Sequence, residues 1–579
     1  MSAFDLVVTG GTVIDGTGVA GRPADVGVRG GRIAEVAAPG ALAGAAAERV
    51  DATDRVVMPG VVDLHTHYDA QLAWDPTASP SPLHGVTTVV GGNCGFGLAP
   101  AGDEHAPYLA RLMARVEGIP LEAIEGGVGW SWRGFGDWLA SLEAGGMAIN
   151  AGFLAGHCAL RRVAMGERAV GETATASDVA TMVTLLHDAL DAGALGFSTS
   201  RSHTHHDGDR NPVPSRAAGD DELLALCAAV RDHPGTQLEA IVPGCINGFS
   251  GDEQQLLAAM SVAAQRPLNW NVLGVAGGDH HLAQLAASDV AAQVGGRVVA
   301  LTLPQGMRIR LSFVSGMVLD ALPGWAETLF ALPPPRRLAA LADADVRRRL
   351  DAGAQSPDAG IIGLLANWSR LRIVETFSDA TAAYEGRRVG DIAAERGVDP
   401  FDALCDIVVA DELRTGISPE MPPEPPEVWQ ARLAAWRDPR TLVGGSDAGA
   451  HLDMMCGAAY STFLLGPAVR DLELLAIEEA VHLLTGAPAD FYGLADRGRL
   501  VPGAAADLAV VDPATVGPGA ERTVADLPGG ASRIVADAHG VGDVVVAGTA
   551  IVRHGTFTGA TPGRVLRSGT DTATVGLSP

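Results

Sequence analysis

His65 and His67, which are separated by a single residue, form the pair in this sequence best suited to bind a metal ion. They follow an apolar segment, residues 56–64, that is typical of a buried strand. Because side chains alternate along a strand, both imidazoles point to the same face and converge on one point, as a divalent cation requires. Such pairs also occur on surfaces and in cores, but the position at a strand end favours a metal site.

Two further segments carry side chains that bind metals or move protons. Cys94 lies in the glycine-rich segment 91–97, where glycines permit a tight turn that exposes a thiolate. Asp447 lies among small residues in the segment 443–451. Acting through a metal-bound water, such an aspartate serves as general base and then as general acid to a leaving amine. A buried cysteine in a turn and a helix-capping aspartate are the alternative interpretations.

Between residues 59 and 495, short apolar runs alternate with longer helix-compatible stretches, which is typical of βα units around a parallel sheet. Eight candidate strands end near His67, Cys94, His157, Ser200, Val242, Val275, Met307 and Asp447. The sequence therefore predicts an α/β fold, with a (β/α)₈ TIM-like barrel over residues 59–495. The segment from about 310 to 435 is long for one connection, and we expect an insertion over the active face.

The two chain ends share a different pattern. Short runs rich in Val and Ile, separated by glycine pairs, occupy residues 5–35 and return in residues 506–512 and 542–555, as in hairpins. The 579 residues also exceed the length of one ordinary core. We therefore expect a small β-sandwich that residues 1–58 and 496–579 form together.

Composition narrows the function. A formal net charge of −27 disfavours binding to nucleic acids and to anionic membranes. The sequence contains no lysine, so all 41 basic residues are arginine and lysine chemistry is excluded. The six cysteines form no CxxC pair, which argues against a disulfide framework and a zinc ribbon. The first residues lack a signal-peptide pattern and no apolar run reaches roughly 18 residues, so we expect a cytoplasmic protein that acts on small molecules.

Several segments together resemble the amidohydrolase superfamily, and more closely its N-acyl-D-amino-acid deacylase (D-aminoacylase) branch. The similar segments span nearly the whole chain and are residues 5–16, 59–69, 85–96, 193–199, 444–447 and 503–508. The resemblance implies a metal-dependent hydrolase of a linear amide C–N bond, in an N-acyl-D-amino acid or a related N-acyl compound. It also implies one or two divalent ions, zinc by preference, held by His65, His67, Cys94 and Asp447, with Asp447 as the catalytic acid and base.

The sequence departs from this branch at the second metal position. The branch carries histidine ligands on strands five and six, whereas strand five here contains Glu239 and strand six contains Asn269 and Asn271. Glu239 is a possible replacement ligand, because zinc accepts carboxylate oxygen. A glutamate paired in the core is the alternative. We accordingly expect a centre that is mononuclear or that holds a second ion weakly.

Three residues are candidates for substrate contact. Arg201 and His205 belong to the segment 201–206 after strand four, on the face where barrel loops build active sites, although a solvated loop is the alternative. His157, at the end of strand three, orients the substrate or a ligand, or else supports the site from behind. An N-acyl amino acid also carries a carboxylate, for which only arginine is available; Arg201, Arg308 and Arg310 lie near strand ends.

Two other functions compete with the acyclic amidase. A cyclic amidase of the hydantoinase or dihydropyrimidinase type is disfavoured, because those enzymes usually depend on a bridging lysine. A catalytically silent barrel that binds a small ligand is the second, since strands five and six contain no histidine. A homo-oligomer is compatible with each of these functions.

Overall fold

The computed structural model describes residues 4–42, 46–306, 308–421 and 423–578. The strands are β1 (Phe4–Val13), β2 (Arg22–Arg29), β3 (Arg32–Ala37), β4 (Ala46–Asp51), β5 (Val56–Pro59), β6 (Val61–Asp63), β7 (Val86–Gly91), β8 (Asn150–Phe153), β9 (Ala155–Gly156), β10 (Gly196–Ser200), β11 (Gln237–Ile241), β12 (Leu268–Leu273), β13 (Val298–Thr302), β14 (Leu371–Glu375), β15 (Gly416–Pro419), β16 (Thr441–Val443), β17 (Leu508–Val511), β18 (Gly517–Val524), β19 (Arg533–His539), β20 (Val541–Val546), β21 (Thr549–Arg553) and β22 (Thr556–Phe557). The helices are α1 (Ala106–Val116), α2 (Leu121–Gly127), α3 (Phe135–Gly145), α4 (His157–Met165), α5 (Ala176–Asp191), α6 (Asp220–Arg231), α7 (Gly244–Asn247), α8 (Gly251–Ala264), α9 (His280–Gln293), α10 (Pro334–Ala342), α11 (Ala344–Ala354), α12 (Val389–Arg396), α13 (Pro400–Ala410), α14 (Pro426–Trp436), α15 (Tyr460–Phe463), α16 (Ile477–Leu484) and α17 (Gly486–Tyr492).

Parallel strands alternate with helices through the middle of the chain, so the protein has a mixed α/β fold. One parallel sheet has the order β6-β7-β8 and a second has the order β9-β10-β11-β12-β13-β16. Only Leu154 separates β8 from β9. Beyond the strand ends, Thr66 forms a parallel bridge with Ala448, and the His67 amide donates to the Ala448 carbonyl at 2.8 Å. The carboxyl ends of the first and last strands of the series therefore meet.

Most strands of this series are buried along their whole length, as expected where both faces of a sheet are covered. In β7 every residue is buried, as in β6, β10, β11 and β13. Seven of the expected strand ends lie within a few residues of an observed end. The eighth was expected near Met307, which lies outside the described residues, and β13 ends at Thr302.

The two chain ends meet in one nine-stranded sheet. Its order is β22-β21-β20-β17-β5-β1-β2-β3, with β4 paired to β1. Other parts of the C-terminal segment lie elsewhere. In the hairpin of β18 and β19, the Ile534 amide donates to the Leu452 carbonyl at 2.6 Å. Leu452 lies shortly after Asp447 in the chain. The Ala151 amide of β8 donates to the Arg564 carbonyl at 3.1 Å, which covers that strand with the chain terminus.

The long connection between β13 and β16 has a hydrophobic core of its own. Trp325 lies at its centre, with ring centroids 5.9 Å from Phe313, 5.7 Å from Trp368 and 5.8 Å from Phe401. The antiparallel pair β14 and β15 packs beside these rings. In the described ranges, no helix combines the length and the apolarity needed to cross a membrane.

Trp325→Ala tests whether this core is independent of the parallel strands. The substitution leaves a cavity among buried rings, so we expect the insertion to lose about 3–5 kcal/mol of unfolding free energy. Hydrogen exchange in the helices of the insertion measures this loss. Leu364→Ala is the control, because Leu364 is 76% exposed in the same segment. Loss of bound metal together with the insertion's stability would contradict two separate cores.

Candidate metal centre

Three buried side chains form a group with the composition and spacing of a metal site. The ligand atoms of His65, His67 and Cys94 all lie within 4.8 Å of one another. Cys94 Sγ is 3.4 Å from His65 Nε2 and 4.0 Å from His67 Nε2. Both histidines follow β6 and are at most 1% exposed. We call these three residues together with Asp447 the metal cluster.

The loop after β7 holds the thiol of Cys94 in place through close backbone packing. Cys94 has a positive φ of 57°. Gly92 has a φ of +72°, and a Cβ atom on it would lie 2.1 Å from the Leu154 carbonyl oxygen. A Cβ atom on Gly95 would lie 2.9 Å from Thr199 Cα. Only glycine fits at these two positions, so the loop has little freedom to move the sulfur.

Asp447 completes the metal cluster from the other end of the strand series. Its Oδ1 atom lies 3.3 Å from His65 Nε2 and 3.4 Å from His67 Nε2. Its amide donates to the His65 carbonyl at 3.1 Å, and Ser446 Oγ donates to Asp63 Oδ2 at 2.5 Å. Burial alone would raise the pKa of Asp447, but hydrogen bonds from the two imidazoles hold it well below its usual range.

Further acidic groups lie buried around the metal cluster. The Cys94 amide donates to Glu239 Oε2 at 2.7 Å, while Glu239 Oε1 has no hydrogen-bond partner among the described residues. Asp69 Oδ2 accepts from the Gly92 amide at 3.1 Å, and its Oδ1 is likewise unpartnered there. Burial raises the pKa of Glu239 to about 8 and that of Asp69 to about 6.

This concentration of acidic groups fits a bound cation. Burying several carboxylates and a thiol without a positive partner is unfavourable, and a divalent ion supplies the missing charge. Burial and the neighbouring Glu239 carboxylate raise the pKa of the Cys94 thiol, a change that a coordinated cation reverses by deprotonating it. Two imidazoles, one sulfur and one carboxylate oxygen are also the donors that zinc accepts.

Glu239 lies beside the metal cluster, but the second position of the centre is poor in strong donors. Glu239 on β11 pairs in register with Asn269 on β12, which places the two residues next to each other. Asn269 is fully buried, and its Oδ1 atom has no hydrogen-bond partner in the described ranges. Carboxylate and amide oxygens thus lie on the two strands where the family resemblance implies histidine ligands.

Glu117 is a residue of the site that sequence reasoning missed. It follows α1 and is 3% exposed, with its Oε1 atom 3.3 Å from His67 Nδ1. A carboxylate on the outer nitrogen of a metal-binding histidine fixes its tautomer and raises its basicity. No strand or motif marks Glu117, although an acidic residue that ends an amphipathic helix was a weak available signal.

His451 is the second missed residue. Its Nε2 atom lies 3.9 Å from Asp447 Oδ2, and its amide donates to the Glu117 carbonyl. The ring is partly exposed, as is the carboxylate of Asp447. The spacing of four residues from Asp447 in a strand-end loop was the signal that could have identified it.

The three residues predicted to contact substrate have different positions. His205 lies near the metal cluster: burial lowers its pKa to about 3, and the charges of His451, Asp447 and His67 also act on it. Its Nδ1 atom is 2.7 Å from Ser200 Oγ. Arg201 instead donates to Asp220 Oδ1 at 2.7 Å and lines a separate recess of about 320 Å³.

His157 is fully buried behind the strand ends. Its Nδ1 atom is 2.9 Å from Thr199 Oγ1 and its Nε2 atom is 2.8 Å from Glu222 Oε1, a carboxylate that also pairs with Arg161. Both ring nitrogens are therefore engaged. This arrangement favours the alternative interpretation, in which His157 supports the end of β10 rather than touching a substrate.

Glu117→Gln tests the link between Glu117 and His67. The amide holds the imidazole less firmly and carries no charge, so we expect zinc affinity to fall about 10- to 100-fold. Competition with a chelator of known affinity measures this change. Glu125→Gln, on the exposed surface of α2, is the matched control. Equal affinity in both variants would show that Glu117 does not support the metal site.

The same competition across pH tests the protonation of His67. Burial alone would lower its pKa, but Glu117 and Asp447 raise it to about 9. A proton on the ring competes with the metal below that pKa. We therefore expect affinity to rise by up to about tenfold per pH unit between about pH 6 and pH 9 for each proton released. Because the Cys94 thiol also releases a proton on metal binding, Glu117→Gln is the comparison: an unchanged slope in that variant would contradict the assignment to His67.

Comparison with known proteins agrees with the geometry. The Amidohydrolase family matches residues 48–551. The D-aminoacylase of Alcaligenes xylosoxydans xylosoxydans is 31% identical over 97% of both chains. A D-aminoacylase structure described by its binuclear metal center is similar, with a TM-score of 0.64, 29% identity and coverage of 97% of this chain and 100% of that one. The N-acyl-D-glutamate deacylase of Bordetella bronchiseptica, solved with zinc and a phosphonate inhibitor, has a TM-score of 0.62, 26% identity and coverage of 98% and 100%. The chain therefore belongs to the amidohydrolase family.

Proposed function

We propose that this protein hydrolyses the linear amide C–N bond of an N-acyl-D-amino acid or a closely related N-acyl compound. The observation that carries the proposal is the convergence of His65, His67, Cys94 and Asp447, which come from distant parts of the chain. Relatives named D-aminoacylase and N-acyl-D-glutamate deacylase, 31% and 30% identical over 97% of this chain, support this substrate class.

The proposed cofactor is a divalent metal ion, with zinc as the first choice. His65, His67, Cys94 and Asp447 would hold it, and the described donor set suits it. Such an ion lowers the pKa of water, polarises the scissile carbonyl and stabilises the developing oxyanion. The bound zinc named for the similar N-acyl-D-glutamate deacylase structure also supports this choice.

Asp447 is the proposed proton carrier. Its Oδ1 atom faces the two imidazoles, whereas Oδ2 lies on the side of His451 and the side chain is 20% exposed. In our proposal Oδ2 accepts a proton from the attacking water, whose oxygen bonds to the acyl carbon. The carboxyl group then donates that proton to the amide nitrogen as the C–N bond breaks, releasing a carboxylic acid and an amine.

We also propose that the centre binds one ion tightly and any second ion weakly. The similar D-aminoacylase is described by a binuclear centre. The second position here offers Cys94, Glu239 and the Asn269 amide, and an amide oxygen is a poor zinc ligand. Glu239 would be the main residue to hold a second ion.

The architecture that we propose is the one expected of the family. The parallel strands within residues 59–495 would close into a (β/α)₈ barrel through the Thr66–Ala448 bridge. Residues 1–58 and 496–579 would build the β-sandwich around their shared sheet. This arrangement puts the metal cluster at the carboxyl ends of the strands, where barrel enzymes carry their active sites.

Asp447→Asn tests the mechanism. Asparagine cannot accept the proton, so we expect turnover to fall below detection, while His65, His67 and Cys94 keep zinc, measured by elemental analysis, largely bound. The matched control is Asp471→Asn, because Asp471 pairs with Arg470 on the surface. Near-normal hydrolysis by the Asp447 variant would remove Asp447 from this role. A panel of N-acyl-D-, N-acyl-L- and cyclic amides, assayed with the wild-type protein, tests the substrate class.

A further inference from the structure

A large cavity lies where three parts of the chain meet. Its volume is about 700 Å³, within the usual range for a small-molecule site. The walls come from the end of α1 and the start of α2, from the insertion around residues 310–317, and from the β18–β19 hairpin. A pocket built from three separate segments requires all three to be in place.

The cavity adjoins residues that contact the metal cluster. Gly118 lines the cavity and directly follows Glu117, whose carboxylate contacts His67. A Cβ atom on Gly118 would lie 3.2 Å from His451 Cα, so Gly118 packs directly against the loop that carries His451. Asp453, two residues beyond His451, lines the cavity on the same side.

Cationic groups dominate the charge of the lining. The lining arginines, each with its carboxylate partner, are Arg115 with Asp320, Arg310 with Glu375, Arg414 with Glu412 and Arg533 with Asp526. None of these four partner carboxylates lines the cavity. Among the described residues, only two acidic ones, Glu122 and Asp453, line it. The lining therefore presents more guanidinium than carboxylate.

Arg310 is the best placed of these arginines. Its side chain is 9% exposed, and its Nε atom has no hydrogen-bond partner among the described residues. Arg310 pairs with Glu375, which also accepts from Thr523 Oγ1 at 2.7 Å. The Arg310 amide donates to the Met454 carbonyl at 2.7 Å. These contacts fix the guanidinium before a ligand arrives.

We propose that this cavity binds the amino-acid portion of the substrate and that Arg310 receives its carboxylate. The inference rests on the proposed function and adds to it the residue that recognises the free acid. Of the other candidates, Arg201 lines a different recess, and Arg308 lies 5.5 Å from the Phe463 ring centroid. An arginine fork suits a carboxylate, and burial strengthens the contact.

A comparison of free acids with their amides tests the proposal. The metal-loaded wild type and Arg310→Gln are assayed on the best N-acyl-D-amino acid of the panel and on its carboxamide. We expect KM for the acid to rise about 10- to 100-fold in the variant, with a much smaller change for the carboxamide. Arg437→Gln, which removes a surface ion pair with Glu479, is the control.

A second variant and a binding measurement keep the outcome clear. Arg414→Gln, at a partly exposed arginine on the same cavity, should raise KM for the acid in the same direction if Arg310→Gln fails to fold. Calorimetric titration of N-acetyl-D-leucine into metal-loaded Asp447→Asn, with and without Arg310→Gln, measures binding without turnover. We expect at least tenfold weaker binding in the double variant.

The outcomes separate this inference from the proposed function. Hydrolysis by the wild type with equal loss on acid and carboxamide in both arginine variants would overturn the carboxylate site and leave the function intact. If binding depends on Arg310 but the protein hydrolyses no member of the panel, the proposed function is overturned and the carboxylate site stands. Binding of N-acetyl-D-leucine that is unchanged by Arg310→Gln would also overturn the site.

Discussion

The structure depends on the burial of several acidic groups around two imidazoles. Cys94, Glu117, Glu239 and Asp447 lie close together, each with almost no exposure except Asp447. Buried anions repel one another, and hydrogen bonds from two histidines offset only part of that cost. A bound cation attracts these groups and offsets their repulsion. Metal binding and the stability of the loops around these residues are therefore coupled.

The need to bring these side chains together explains the unusual backbone at this site. Cys94, Asp447 and His451 all have positive φ angles, between 52° and 58°, which residues other than glycine adopt at a cost. Each angle turns the chain immediately after a parallel strand or within the loop that follows it. Extended backbone would carry these side chains past the point where the imidazoles converge. The surrounding packing, such as that of Gly92 and Gly95, holds them in place.

Sequence periodicity and motif position were sufficient for seven of the eight strand ends and for the family, because buried strands such as β6 and β7 leave an apolar run that ends near the site. They were also sufficient to identify His65, His67 and Cys94 as neighbours. Glu117 and His451 escaped because their role exists only in three dimensions: Glu117 ends a helix and meets His67 from outside the strand series. For His157 the sequence left two interpretations open, and its contacts favour the supporting one, since a strand end can also point into a buried network.

The protein has a negative net charge, whereas the cavity beside Glu117 is lined mainly by arginines among its charged residues. This difference limits where an acidic substrate could bind. A net charge of −27 repels a carboxylate at long range, and without lysine the only fixed cations are arginines. Most of these arginines pair with nearby acids at the surface, where solvent screens them. An anion is therefore held best in a cavity that several guanidinium groups line and that their carboxylate partners do not line. The cavity beside Glu117 is lined by Arg310, and in our proposal recognition of the acid therefore depends on the three chain segments that enclose it.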